Sequence, residues 1–341
     1  MKKMLLGYVG AQATVSQEDG QKLTHIHLAF GKVYPDGSVQ AGQLPVLEQL
    51  EQLRCWDPGL RCSVSLINGD PQAFTTVCGD PKLRQSFAQS CRELVETFQL
   101  DGIDLDWEYP CVTTNGSDAS PDDRENFTLT LRALRRKLDT LPGRPSLSIA
   151  AAAEPFYTRC VDLQAIAPLL DYLCLMTYDL KGNPHAVAGH HTALYETPGD
   201  IFPNSCAGAL ELFHRCGVPK EKLLLGAAFY SRKWVDLPDR YHGLLQMSPQ
   251  GGGYGPGYGE LVRGFLNQNG FTYYWDEIAK APYLFDGSTF LSFDDPRSLE
   301  EKCRYVRQEG YGGVFYWEHS CDPTGVLLHS LWEGLYPKKC Q

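Results

Sequence analysis

The stretch Gly102-Ile103-Asp104-Leu105-Asp106-Trp107-Glu108 carries the reading of the fold. Apolar and acidic residues alternate along it, and a period of two is that of a strand, whose successive side chains point to opposite faces. Ile103, Leu105 and Trp107 therefore share one face, and Asp104, Asp106 and Glu108 the other. The apolar face needs cover and can pack under helices. The acidic face then points into the lumen of a closed barrel and climbs toward its C-terminal mouth, where active sites of (β/α)8 barrels lie.

Seven similar apolar runs flank this one: Met4 to Val9, His25 to Phe30, Cys62 to Ile67, Leu147 to Ala152, Tyr172 to Thr177, Leu223 to Phe229 and Gly313 to Trp317. Helical patterns separate them, among them Pro45 to Leu53, Pro81 to Phe98, Asp122 to Leu141 and Pro296 to Gln308. Near-continuous hydrophobic strands alternating with helices imply a parallel sheet buried on both faces, and eight is the closing number of the TIM barrel. The expected class is thus α/β, a (β/α)8 TIM barrel, with an open doubly wound sheet as the competing architecture. The longest gap, between the seventh and eighth strands, holds Gly251-Gly252-Gly253-Tyr254-Gly255-Pro256, Tyr273-Tyr274-Trp275 and Tyr283-Leu284-Phe285. It reads as a small α+β insertion at the C-terminal rim, residues 235–292, leaving 1–234 and 293–341 as the barrel. The glycine run lacks the GK[ST] ending of a phosphate loop, which speaks against a nucleotide site.

A formal charge of -10 over 341 residues argues against nucleic acid and anionic membrane surfaces as partners. No uncharged apolar run approaches the ~20 residues of a membrane span. After Lys2-Lys3 the apolar residues are too few for a signal peptide, so the chain reads as soluble. Its location stays open between the cytoplasm and export after loss of a leader. The 12 cysteines are scattered without a CxxC pair, and Cys62, Cys91, Cys174 and Cys303 fall inside predicted elements, so they read as buried free thiols. The sequons at Asn115 and Asn126 are discounted for want of an export signal. His185, His190 and His191 have no helical ligand spacing and read as a polar or substrate-contacting loop, and His25 and His27 as barrel residues. No cofactor and no metal are expected, and the chain reads as a monomer.

Three carboxylates stacked on one strand face cannot all ionise cheaply in a low-dielectric interior, so at least one proton is held and shared among them. Glu108 sits at the rim where a substrate can reach it, which makes it the natural general acid, its proton held by Asp106 below. Asp104 is deepest and takes the proton passed down. A divalent-cation site and a solvated charge run are the competing readings. A solvated strand would not set Ile103, Leu105 and Trp107 opposite the acids, and a metal site would usually add a nearby histidine.

Asp101-x-x-Asp104-x-Asp106-Trp107-Glu108-Tyr109-Pro110 resembles the DxxDxDWEYP signature of the glycoside hydrolase family 18 chitinases, in the branch with an α+β insertion domain. Gly7-Tyr8, Asp123-Arg124-Glu125-Asn126-Phe127, Met176-Thr177-Tyr178-Asp179, Phe229-Tyr230-Ser231-Arg232, Phe293-Asp294-Asp295-Pro296-Arg297-Ser298 and Gly312-Gly313-Val314-Phe315-Tyr316-Trp317-Glu318 agree with the same family in order along nearly the whole chain. The resemblance implies hydrolysis of β-1,4-linked N-acetylglucosamine polymers or oligosaccharides, with chitin or chitooligosaccharides as substrate and retention of configuration. The substrate's own acetamido oxygen would attack the anomeric carbon and pass through an oxazolinium ion. It further implies that Glu108 protonates the leaving oxygen, Asp106 orients the acetamido N–H, Tyr178 holds the acetamido oxygen, and Asp104 shares a proton with Asp106. Tyr8, Trp107, Met176, Asp179, Tyr230, Arg232 and Trp317 would bind substrate, Trp317 as the apolar floor beneath the distorted sugar.

The insertion resembles that of members with a deep groove and favours exo-type or processive action. Three features depart from the pattern: Asn68-Gly69 in place of Ser-x-Gly-Gly, Ser231 in place of glycine, and Gln12 and Thr14 where an aromatic is usual. They point to short oligosaccharides rather than crystalline chitin. An endo-β-N-acetylglucosaminidase acting on N-glycans or wall glycan is the alternative, and a non-catalytic chitin-binding lectin is a further one that the presence of Glu108, Asp106 and Tyr178 disfavours.

Overall fold

The computed structural model describes residues 2–10, 13–42, 44–114, 116–182 and 185–337, so that Gln12, Asn115 and Cys340 lie outside it. Among these residues the strands are β1 (Met4–Gly10), β2 (His25–Val33), β3 (Val39–Gln40), β4 (Arg61–Asn68), β5 (Gly102–Leu105), β6 (Ser146–Ala152) and β7 (Tyr172–Met176). They continue with β8 (Leu223–Ala228), β9 (Tyr230–Trp234), β10 (Gly253–Gly257), β11 (Thr272–Asp276), β12 (Ala281–Phe285), β13 (Phe290–Ser292) and β14 (Gly313–Trp317). One sheet runs β1-β14-β8-β7-β6-β5-β4-β2 with every pairing parallel, and β2 closes on β1. This is the eight-stranded closed barrel expected from the sequence, with β3 added antiparallel to β2. Every residue of Leu223–Ala228 is buried, as a strand covered by side chains within and helices without must be.

The helices supply that outer cover. Pro81–Phe98 begins where Asp80 caps the Lys82 and Leu83 amides and ends at Gln99 in the left-handed conformation. The helix expected from Pro45 opens as a 3₁₀ turn, Pro45–Gln49, before α-helix over Leu50–Trp56. Asp295 and Ser298 form a reciprocal cap at the start of Pro296–Glu309, which accounts for the Asp-Asp-Pro-Arg-Ser stretch read from the sequence. From this helix Lys302, fully buried, reaches both carboxylate oxygens of Asp294 at 2.8 and 2.6 Å and Thr192 Oγ1 at 2.6 Å. Asp294 Oδ2 in turn accepts from the Ala228 amide at 3.1 Å, so this ion pair fastens the helix to the end of β8.

A second sheet, antiparallel with order β10-β9-β13-β12-β11, stands beside the barrel and packs its own core around Trp234, Tyr283 and Phe290. Its strand β9 begins one residue after β8 ends and pairs with β10 and β13, so the chain passes from barrel to second sheet almost without a break. Eleven cysteines among the described residues are free thiols. No helix there is long and apolar enough to cross a membrane.

Candidate active site

Strand β5 ends at Leu105, three residues before the alternating stretch does, yet the alternation of faces continues past it. Trp107 is 1% exposed and packs outside the ring, stacked on Phe74 at 5.3 Å and edge-on to Phe127 at 5.4 Å. The substrate contact expected of Trp107 is therefore corrected: its indole is core, and what it does for the site is hold the segment that carries the acids.

On the lumen side the three carboxylates rise from a fully buried Asp104, through Asp106 at 7% exposure, to Glu108, half-buried at the mouth. Asp104 accepts from Tyr8 Oη (2.9 Å), Ser65 Oγ (2.7 Å) and Ser148 Oγ (2.6 Å), donors brought in by β1, β4 and β6. Burial pushes its carboxyl up, but the His27 imidazole and the hydroxyl donors outweigh that and leave it below its ordinary value. Asp106 differs: its backbone N–H is tied to Leu66 O at 2.9 Å while Oδ1 is buried without a partner. Burial first, then the charges of Glu108 and Asp104, raise the Asp106 carboxyl well above the ordinary range. Burial also raises Glu108, with Asp179 adding to it against a hydrogen bond from Tyr109. The bottom carboxyl is thus shifted toward its ionised form and the pair above it toward holding a proton, the arrangement a general acid needs.

Tyr178 follows β7, where Thr177 Oγ1 donates to Gly226 O and accepts from Gly226 N, both at 2.8 Å, pinning the strand end to β8. A Cβ on Gly226 would lie 2.8 Å from Leu175 O and 2.9 Å from both the Phe315 and the Tyr178 rings, so glycine is required where β8 passes beneath them. Asp179 takes a left-handed backbone, φ 57°, uncommon outside glycine and asparagine. Its Oδ1 accepts from Tyr230 Oη at 2.7 Å and Arg232 Nε at 2.6 Å, its Oδ2 from Arg232 at 2.6 Å, and its amide donates to His191 Nδ1 at 3.4 Å. Burial opposes ionisation here, but His191 and Arg232 hold the Asp179 carboxyl far below its usual range. Arg232 also lies 3.7 Å from the centroid of the exposed Tyr254 ring.

These groups surround a cleft of about 540 Å³ that Tyr8, Asp106, Glu108, Met176, Tyr178, Asp179, Tyr230 and Trp317 all line. Trp317, at the end of β14, stacks on Phe30 at 5.2 Å and meets Tyr8 edge-on at 5.9 Å, forming an aromatic base to the cleft. Arg232 stands behind the wall through Asp179. Phe30, Asp70, Glu154 and Tyr254 also line it and were not singled out from the sequence. Tyr254 had a readable signal, an aromatic in a glycine run whose flexible backbone can approach a ligand. Glu154, just past β6, had none beyond its place at a strand end. The three loop histidines go separate ways: His191 to Asp179, His190 to Asp276 at 3.2 Å, and His185 to the Phe202 ring.

A profile of the Glycosyl hydrolases family 18 matches residues 4–322. The chain belongs to this family. A solved family 18 N-acetylglucosaminidase from Paenibacillus barengoltzii is 44% identical and superposes with a TM-score of 0.95 over 97% of this chain and 99% of that one. Chitinase A1 of Niallia circulans is 31% identical over 306 residues, 84% of this chain and 44% of that protein. A probable endochitinase of Caenorhabditis elegans is 29% identical over 343 residues, 92% of this chain and 54% of that protein. The chain therefore spans about half the length of these last two relatives, whose remaining parts have no counterpart in the aligned region.

Proposed function

We propose that this protein is a chitinase: it hydrolyses β-1,4-linked N-acetylglucosamine chains, polymer or oligosaccharide, with retention and with the substrate's acetamido group as nucleophile. The observation that carries the reading is the Asp104–Asp106–Glu108 ladder, its base held by three hydroxyl donors and the two carboxyls above it raised by burial and neighbouring charge, opening into an aromatic-floored cleft. Glu108 gives its proton to the glycosidic oxygen as that bond breaks. The acetamido oxygen closes on the anomeric carbon, and the positive charge that develops on the acetamido nitrogen is met by Asp106, whose buried, unpartnered Oδ1 is free to accept the N–H. Tyr178 donates to the acetamido oxygen and aims it. A proton moving between Asp106 and Asp104 lets Asp106 carry negative charge when the oxazolinium ion needs it. Water then opens that ion from the same face, with Glu108 as base. Trp317 supports the sugar ring, and Tyr8, Met176, Asp179, Tyr230 and Arg232 shape the walls. The boundary between barrel and insertion, expected after residue 234, falls on this reading near Phe229, because β9 (Tyr230–Trp234) pairs with β10 and β13 of the second sheet.

Release of single N-acetylglucosamine units is a second reading, favoured by the end-to-end likeness to the Paenibacillus barengoltzii N-acetylglucosaminidase. Wild type and Glu108→Gln incubated with N-acetylglucosamine tetramer to hexamer, followed by NMR, test both. Initial β-anomer product, abolished in the variant, is expected. Monomer as sole early product selects the second reading, and initial α-anomer rules out acetamido attack.

A further inference from the structure

Beneath the carboxylate ladder lies a buried histidine that the mechanism above does not use. His27, on β2, is fully buried, and its Nδ1, which completes no hydrogen bond, lies 3.4 Å from Asp104 Oδ2. Its other nitrogen, Nε2, is 2.9 Å from the Tyr172 hydroxyl on β7. The groups that face this imidazole are Tyr8 on β1, whose ring meets it edge-on at 4.8 Å, Asp104 on β5, Tyr172 and Cys174 on β7, and His25 on its own strand. Asp106 stands one pleat higher. Tyr172 can donate to Nε2, which leaves Nδ1 to carry the hydrogen and to point it at Asp104.

Resting on the proposed function, we infer that His27 is a positioning residue of the reaction: its Nδ1–H supports the Asp104 carboxylate from below, so that in the resting enzyme the ladder's shared proton stays on Asp106 and Glu108 and passes to Asp104 only when Asp106 must carry charge. Burial alone would drive Asp104 to hold a proton, and a hydrogen from His27 acts with those of Ser148 and Ser65 against it. A protonated Asp104 would no longer repel charge from Asp106, and the proton Glu108 must deliver would be lost at lower pH. The same trio, His27, Asp104 and Cys174, has ligand atoms within 4.8 Å of one another, as a metal site would. Chelation fits poorly, because Asp104 is already occupied by three hydroxyl donors and burial keeps the Cys174 thiol protonated.

Two measurements test the role. In His27→Leu the alkaline limb of the kcat/KM profile on N-acetylglucosamine oligomers should move toward acid, with KM little changed, because an Asp104 that has lost this donor takes the shared proton more readily and repels charge on Asp106 less. His27→Asn, which returns an N–H near the place of Nδ1, should restore the limb. A folded His27→Leu enzyme with an unmoved limb overturns the inference. The second measurement needs neither variant nor turnover: ¹⁵N NMR of histidine-labelled wild type should find the hydrogen on Nδ1 of His27 across pH 5 to 8. A bare Nδ1 overturns the role outright. The Nδ1–H tautomer in a protein that leaves acetylated aminosugar oligomers uncut would instead break the proposed function.

Discussion

Replacing Tyr178 with phenylalanine isolates one oxygen. The ring would stay where Gly226, Tyr230 (6.1 Å) and Phe315 (5.9 Å) hold it, so the change subtracts a hydroxyl without opening a cavity. If that hydroxyl steadies the acetamido oxygen as it becomes part of a cation, it acts chiefly in the transition state and lightly in the bound substrate. A hydrogen bond to a group carrying charge is worth roughly 1.5–3 kcal/mol. At about 1.4 kcal/mol per factor of ten, kcat should fall between about 10-fold and about 150-fold while KM moves little. Initial rates on N-acetylglucosamine tetramer, across concentrations that define both constants, supply the assay, and a thermal melt matched to wild type excludes damage to the fold. A kcat within threefold of wild type, or a loss carried wholly by KM, would refute the role given to Tyr178.

Asp106→Asn should alter stability in a pH-dependent way. Because burial, Glu108 and Asp104 raise its carboxyl, the folded chain holds a proton there that the unfolded chain releases, so its contribution to stability falls as pH rises above the ordinary aspartate range. The variant's Tm should gain on wild type from pH 4 toward pH 7, and parallel curves would contradict the assignment. Lys302→Met strands Asp294 without its buried counter-charge and should destabilise by about 3–5 kcal/mol in chemical denaturation, with Asp294→Asn in the same chain recovering part of it; a loss near zero would show the pair to be idle. Gly226→Ala pushes a methyl against the Leu175 carbonyl as well as the Phe315 and Tyr178 rings and should lower both kcat and Tm, as the same rate assay and a circular-dichroism melt would read; an unchanged Tm would contradict the tight packing there.

The barrel was legible because each of its strands is a short apolar run between helical repeats, and burial on both faces leaves that mark in any single stretch. The acid ladder was legible for the same local reason, since a period of two sorts Asp104, Asp106 and Glu108 from Ile103, Leu105 and Trp107 within seven residues. That alternation already put Trp107 among the core residues, and its place against Phe74 and Phe127 agrees with the pattern rather than with a sugar contact. What stayed hidden depends on register between distant strands. Ser65, Ser148 and His27 converge on Asp104 from three strands, and nothing local to any of them announces a shared partner. His191 was read as part of a polar loop because its partner, Asp179, becomes its neighbour only when the loop folds back over β7.

Phe229 is all that separates the last barrel residue of β8 from the first residue of β9, and Tyr230 and Arg232 both sit on β9 with their polar atoms on Asp179. The side sheet is therefore no detachable ornament: its first strand delivers the counter-ion for a wall of the cleft. Transplanting this module between relatives to alter chain-length preference would succeed only if the splice falls before Tyr230, carrying the tyrosine and the guanidinium along with the loops they anchor.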